Sequence, residues 1–239
     1  MLDWVTGCEV ADLAALRPEL LDRVVEGDAR ITGLMSEVIT GFRRGQQLAA
    51  SGDRHDAVWR LCEGWCIRWR RGPGGRRQIL YVHTPADLLV TGSVLLSVQP
   101  DTFEFLTSAS LQQVSQAQLH AAAETDYNLA LRLLWQFSEE ERHFRNELVR
   151  IKQCSAEARI VDMLIQFEAR LVRLGMVDGD SFKFPMKQQD IADYIGISSA
   201  YVSRILARLR SEGIASLTRG EVRLHDRQRL AGLARHPWP

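Results

Sequence analysis

A chain of 239 residues with 46% hydrophobic and 25% charged residues has the make-up of a globular protein of one or two domains, so a disordered, collagen-like or disulfide-stapled chain is excluded. Thirty basic against thirty acidic residues give a net charge of +0, which rules out a uniformly basic coat but not a local one. No apolar run approaches the roughly 18 to 20 residues that cross a bilayer. The opening segment MLDWVTGCEVADLAALRPEL carries acids where a secretion signal has a basic start, so a soluble cytoplasmic protein with no membrane contact is expected.

A short helical lead is expected from Ala11 to about Gly41. From Phe42 to Val114 the pattern changes to short apolar or alternating runs, AVWRLC, WCIRWRR, RQILYVH, DLLVTG and TFEFL. Turn signals at Ser51–Gly52, Gly64, Gly72–Gly75 and Pro85 separate them. Strands at roughly 8 to 12 residue spacing predict an antiparallel sandwich, jelly roll or barrel. Cys8, Cys62, Cys66 and Cys154 read as reduced structural thiols. A zinc site needs about four ligands at paired spacings, and the chain offers no second pair beside Cys62 and Cys66.

From Thr125 the period becomes helical. Tyr127, Ala130, Leu134, Phe137, Glu141, Phe144, Leu148 and Ile151 alternate steps of three and four residues and fall on one seam of a long helix, with charge on its other faces. A seam of this kind predicts a homodimer, with Glu141 as a weak spot or register device. A second amphipathic helix is expected over Ser155 to Leu174, followed by MVDGD as a hinge.

The tail supplies the motif. KQQDIADYIGISSAYVSRILARLRSEG divides into a helix from Lys187 to Ile195, a break at Gly196 and a second helix from about Ser199 to Ser211. Small Ala192 permits close helix approach, Gly196 takes a turn that disfavours a side chain, and Val202 with Ile205 pins the second helix. Ser198 stands where it caps that helix. Two short strands around Arg219 and Gly220 complete a winged helix. From Ser181 onward ten basic residues face five acids, so a basic end joins an acidic body. These features together imply binding to double-stranded DNA. A helix hairpin that binds a protein, with the β domain as a regulatory subunit, is the alternative. No Ser/His/Asp grouping, phosphate loop or metal motif supports an enzyme, and Glu139, Glu140 and Glu141 read as a solvated helix face.

The order of these parts, and FPMKQQDIADYIGISSAYVSRILARLRSEGI across the whole helix-turn-helix, resembles the Crp/Fnr family of bacterial transcription regulators from about residue 40 to residue 225. The resemblance implies an α+β chain in three parts. These are a β-roll or jelly-roll sensor at 1–124, a dimerisation helix at 125–153 and a winged helix-turn-helix at 154–239. It also implies RNA polymerase as a partner. Carried over by motif, the base-reading face falls on Ser199, Ala200, Tyr201, Ser203 and Arg204. Gln188, Gln189, Ser198, Arg208 and Arg219 fall on the DNA backbone. Ala200 departs from the pattern, since many members place a Glu there.

The family's phosphate-binding cassette is altered as well. In PADLLVTGSVLLSVQPDTFEFLTSAS, Gly92 remains, Ser93 stands at the usual Glu position, and Pro100 and Asp101 fall near the usual Arg and hydroxyl residue. A cyclic phosphate needs a cation to offset its buried charge, and Asp101 repels it, so cyclic AMP is disfavoured. One nearby cysteine does not make an N-terminal iron–sulfur cluster, while His83 and His120 leave haem open. The cofactor therefore stays unassigned. Leu89, Val90, Thr91, Gly92 and Ser93, with Leu134 and Phe137, are expected either to line a dry effector pocket or to be filled by their own side chains. Filled, the sensor leaves control to protein abundance or to oxidation at Cys62, Cys66 or Cys154.

Overall fold

The computed structural model describes residues 17–234; Cys8, Arg235 and the Ala11–Leu16 part of the expected helical lead lie outside them. Contacts group the described residues into two units, one ending at His143 and the other beginning at Phe144.

The first unit is a two-sheet β-roll. After helix α1 (Leu21–Leu34) come β1 (Ile39–Phe42), β2 (Gln47–Ala49), β3 (Ala57–Glu63), β4 (Cys66–Arg71), β5 (Arg77–His83), β6 (Leu88–Leu89), β7 (Thr102–Phe105) and β8 (Ala109–Ser115). One sheet has the order β1-β8-β3-β6 and the other β2-β7-β4-β5, with antiparallel neighbours throughout. Leu61 and Leu111 from the first sheet meet Cys66, Phe103 and Phe105 from the second in a buried core between them. The five predicted runs correspond to β3 to β7, with DLLVTG contributing only two strand residues before a 3-10 turn at Thr91–Val94. Two corrections follow at the ends. The lead does not stay helical to Gly41, because Ile39–Phe42 pairs with β8, and ASLQQVS is a strand that the apolar-run reading passed over.

Three helices cover the outer face of the first sheet: α1, α2 (Gln116–Thr125) and α3 (Tyr127–Gln153). Ile31, Val58, Leu88, Val114, Leu119, Leu129 and Leu133 form this second core. Asp126 breaks the chain between α2 and α3, and its carboxylate accepts from the Asn128 and Leu129 amides to cap α3. Gly27 permits the contact of α1 with α3, since a Cβ there would stand 2.1 Å from the Asn128 carbonyl oxygen. Beside it Asp28 accepts from Arg132 at 3.0 Å and from Arg60 at 3.2 Å, joining α1 to α3 and β3 through a buried ion cluster.

The second unit holds the rest of α3, then α4 (Ala156–Arg173), β9 (Val177–Asp178), β10 (Ser181–Lys183), α5 (Gln188–Ile195), α6 (Ser199–Ser211), β11 (Ala215–Thr218), β12 (Glu221–Leu224) and α7 (Arg227–Ala234). Ser155 caps α4 through the Ala158 amide. MVDGD is not a hinge: Val177 and Asp178 pair with Phe182 and Ser181, so Gly179 turns a hairpin inside the sheet β11-β12-β10-β9. Phe167 on α4 packs edge-on to Phe184 at 5.3 Å, which ties the helix to the segment leading into α5.

Candidate functional site

Helix α5 ends as its sequence requires. Gly196 takes φ +80°, a left-handed value costly for other residues, and the Gly196 and Ile197 amides both donate to the Ala192 carbonyl. Arg159 on α4 donates to the Ile195 carbonyl at 2.8 Å, satisfying another free oxygen of that helix end. Ser198 then caps α6 by accepting from the Tyr201 amide at 3.3 Å. Val202, Ile205, Leu206 and Leu209 are buried beneath α6 with Ile191, Ala192 and Ile195 of α5. One face of α6 is thereby pinned and the opposite face must look outward.

That outward face carries Ala200, Tyr201, Ser203 and Arg204, all exposed, with Ser199 half-buried at its start. The Arg204 guanidinium lies over the Tyr201 ring. Gln188 and Gln189 are exposed at the start of α5, where Gln189 donates to Asp193 at 2.7 Å. Arg219 and Gly220 take φ +53° and +76° in the two-residue turn between β11 and β12, the left-handed pair a tight hairpin uses. This projects Arg219 into solvent at the wing tip. Arg208 is exposed but ion-paired with Glu157 of α4. The five base-reading candidates therefore share one helical surface, and the backbone candidates sit at helix starts, the wing tip and the far end of α6. A ring nitrogen of His225 lies 3.0 Å from the Ser216 hydroxyl on the exposed wing.

Along α3 the seam splits. Tyr127, Leu134, Leu148 and Ile151 are 64%, 63%, 54% and 58% exposed, and Phe144 and Glu141 also face outward. Ala130 is half-buried, and Phe137 packs against the second core of the roll. Leu134 consequently lines no dry pocket within one chain. Leu89 and Val90 are buried in the core between the sheets, and Ser93 donates to the Ala57 carbonyl. Gly92 keeps no left-handed turn; that conformation falls on Val90, at φ +60°.

A polar network occupies this part of the roll. Arg68 on β4 donates to Glu140 on α3 at 2.8 Å, and Thr91 donates to the same carboxylate at 2.7 Å. Burial alone would raise the Glu140 carboxyl, but the charge and hydrogen bond of Arg68, with Thr91, hold it below the usual carboxylate value. Asp101 is buried and accepts from Arg70 at 2.8 Å, with Arg68 3.9 Å away. Glu140 and Glu139 thus leave the solvated face assigned to them, Glu140 because the buried Arg68 guanidinium lies opposite and Glu139 because it is buried beside Arg142. Among the described residues no group of three or more His, Cys, Asp or Glu side chains is placed to hold a metal ion. Cys62 and Cys66 are free thiols, both pushed upward first by burial.

A pinned helix with a polar outward face, a wing and a two-sheet β-roll are the parts of a DNA-binding transcription regulator. Residues 158–233 match the Crp-like helix-turn-helix domain. The chain is 26% identical over 193 residues to the transcriptional activator protein FnrA of Stutzerimonas stutzeri, covering 81% of this chain and 79% of that one. It is 26% identical to the nitrogen fixation regulation protein FixK of Bradyrhizobium diazoefficiens, with 81% and 80% covered. The crystal structure of FixK2 from Bradyrhizobium japonicum shares the fold at a TM-score of 0.77 and 23% identity, over 85% of this chain and 99% of that one. Residues 158–233 thus carry a Crp-like helix-turn-helix domain, and over about four fifths of its length the chain is similar to bacterial transcription regulators. No described helix is long and apolar enough to cross a membrane.

Proposed function

We propose that the chain acts in the cytoplasm as a homodimer that reads a pseudo-palindromic DNA site, with one α6 in each of two successive major grooves about 34 Å apart. The observation that carries this reading is the outward face of α6, where Arg204 projects from a helix whose other side is fully committed to packing. A guanidinium fork matches the O6 and N7 acceptors of guanine, and Ala200 offers only apolar contact, suited to a thymine methyl. Ser199, Tyr201 and Ser203 flank it. Gln188, Gln189, Ser198, Arg208 and Arg219 set register on the phosphates, Arg208 by giving up its pairing with Glu157. The exposed apolar residues of α3 supply the dimer seam, which a second copy of the same helix would cover. RNA polymerase is the further partner a transcription regulator of this kind serves.

Control enters through the roll and the stretch of α3 that lies on it, and runs along α3, which is one continuous helix as far as the DNA-binding unit. The mechanism is a population shift between two arrangements of the paired α3 helices. Cyclic AMP is disfavoured as the signal, because Asp101 already neutralises Arg70 and the pocket residues Leu89, Val90 and Ser93 are spent on packing.

The test is selection of duplexes from a random library by the full chain, followed by binding titrations in increasing salt. A two-fold related consensus with affinity falling steeply as salt rises is the expected result, since each neutralised phosphate releases counterions. Enrichment of no sequence, or affinity indifferent to salt, overturns the reading in favour of a protein-binding tail.

A further inference from the structure

His83 ends strand β5 in the wall that faces α3, and it is only 6% exposed. Neither ring nitrogen has a hydrogen-bond partner among the described residues. Nδ1 stops 3.6 Å from the Asp87 carboxylate, beyond hydrogen-bond reach, while Asp87 accepts from the Thr84 amide at 2.9 Å. The ring is packed between aromatic neighbours, Tyr81 at 4.6 Å and Phe103 at 5.6 Å, and Tyr81 in turn meets His143 of α3 edge-on at 4.7 Å.

Charged and titratable groups face it from every element around. β4 contributes Arg68, Arg70 and the Cys66 thiol; β5 contributes Tyr81; the turn after it contributes Asp87; the loop before β7 contributes Asp101; α3 contributes Glu140 and His143. Asp87 and Glu140 are the carboxylates that act on the ring, with Arg68 the cation that opposes its charge. A proton on the buried imidazole would add a positive charge 3.6 Å from the Asp87 carboxylate and beside the Arg68–Glu140 pair. The cleft at this point, walled by Arg68, His83, Asp87, Gln136 and Glu140, has room for little more than a water molecule. A nucleotide or a haem does not fit there, whereas a proton does.

We propose that His83 is an acid-sensitive latch between the β-roll and α3. A solvent proton taken up on the ring turns it into an imidazolium that leaves its aromatic packing for water at the mouth of the cleft and draws Glu140 off Arg68, loosening the Arg68–Glu140 tie that holds β4 to α3. The latch rests on the reading above, in which the contact of the roll with α3 sets DNA affinity.

The direction of the pH effect follows from the packing. Burial, the dominant influence, holds His83 below its ordinary value near 6.5 despite Asp87, so the packed ring is neutral at neutral pH. A ring released to water takes its proton near 6.5, so the released state binds more protons. The packed contact is therefore intact above about 6.5 and weakens as the pH falls below it, until the lowered value of the packed ring is passed. The bound proton selects the loosened state.

The test uses the full-length chain with 13C-labelled histidine. The His83 resonance is titrated from pH 8 to pH 5, alongside amide hydrogen exchange of residues 127–143 corrected for intrinsic pH effects. The expected result is a titration below pH 6.5 whose midpoint coincides with a tenfold or greater loss of α3 protection. His83→Phe, a neutral ring of similar size, should show less than a twofold change over the same range. A His83 resonance that does not titrate above pH 5, or helix protection that changes away from its midpoint, overturns the latch without recourse to a variant. His83→Phe following the wild-type profile overturns it as well. In a His225→Gln background, which removes the wing histidine, affinity for the selected duplex should fall at least tenfold from pH 7.5 to 5.5. Loosening of α3 with DNA affinity unchanged overturns the link to regulation. Failure to bind any duplex at pH 7.5 overturns the DNA-binding reading itself.

Discussion

The Arg204 guanidinium lies over the Tyr201 ring, 5.1 Å from its centroid, on the outward face of α6. A cation resting on an aromatic face is oriented before it meets a base, so less freedom is lost on binding. Arg204→Ala should lower affinity for the selected duplex by about 1 to 3 kcal/mol, roughly fivefold to 150-fold, and relax base preference at one position per half-site. Arg204→Lys should fail to restore it, because an ammonium cannot make the two-pronged contact. Anisotropy titrations on selected and scrambled duplexes read both, and equal affinity of wild type and Arg204→Ala for the selected duplex sinks the assignment.

Arg68→Met should destabilise the roll by about 3 to 5 kcal/mol, the order expected when one half of a buried pair is removed and a carboxylate is left without its cation. Arg68→Met with Glu140→Leu should recover most of that loss. Denaturant unfolding measures all three proteins, and a purely additive double variant would show that the two groups do not interact. The lowered Glu140 carboxyl adds stability above its ordinary value near 4.5, lost as the pH falls through its lowered one.

Gly27→Ala puts a methyl where the Asn128 carbonyl oxygen is only 2.1 Å away, and backbone oxygen cannot swing aside. The helices α1 and α3 must separate, at a cost of about 1 to 3 kcal/mol for overpacking. A thermal melt should show a midpoint several degrees lower. An unchanged midpoint would mean that α1 does not sit on α3 in solution.

Leu148→Arg with Ile151→Arg should convert a dimer near twice 27.1 kDa into a monomer, because both side chains are more than half exposed and charge on a helix seam opposes pairing. Sedimentation equilibrium decides this. DNA affinity should collapse with the dimer, since each half-site alone carries only part of the contacts.

The helix-turn-helix was legible almost to the residue because its signals are local. Ser198 caps, Gly196 turns, and the apolar spacing from Ile191 to Ile205 has a single packing solution. α6 runs from Ser199 to Ser211 as the sequence predicts. The β-roll was legible as a class but not in its ends. β8 escaped notice because Gln112 and Gln113 interrupt its apolar residues, although Leu111 and Val114 are buried. The MVDGD hairpin escaped because a two-residue strand carries no period of its own. The buried ion pair was hidden by distance along the chain: Arg68 and Glu140 are 72 residues apart, and each alone resembles a surface charge. Val90 gives no sign that it takes a left-handed conformation, which a β-branched residue adopts only when its surroundings impose it.

Ala200 is a methyl group facing outward at a position where the family resemblance implies a carboxylate. A cell that holds several regulators of this fold must keep their targets from being confused, and a short side chain achieves that by omission. On the proposed docking, Ala200 cannot accept from cytosine as a carboxylate would, so a site that depends on that contact is not favoured. The same small residue exposes no charge to be left unpaired against a thymine. Insulation between parallel regulatory circuits would then rest on one truncated side chain, while the rest of the reading helix stays as it is.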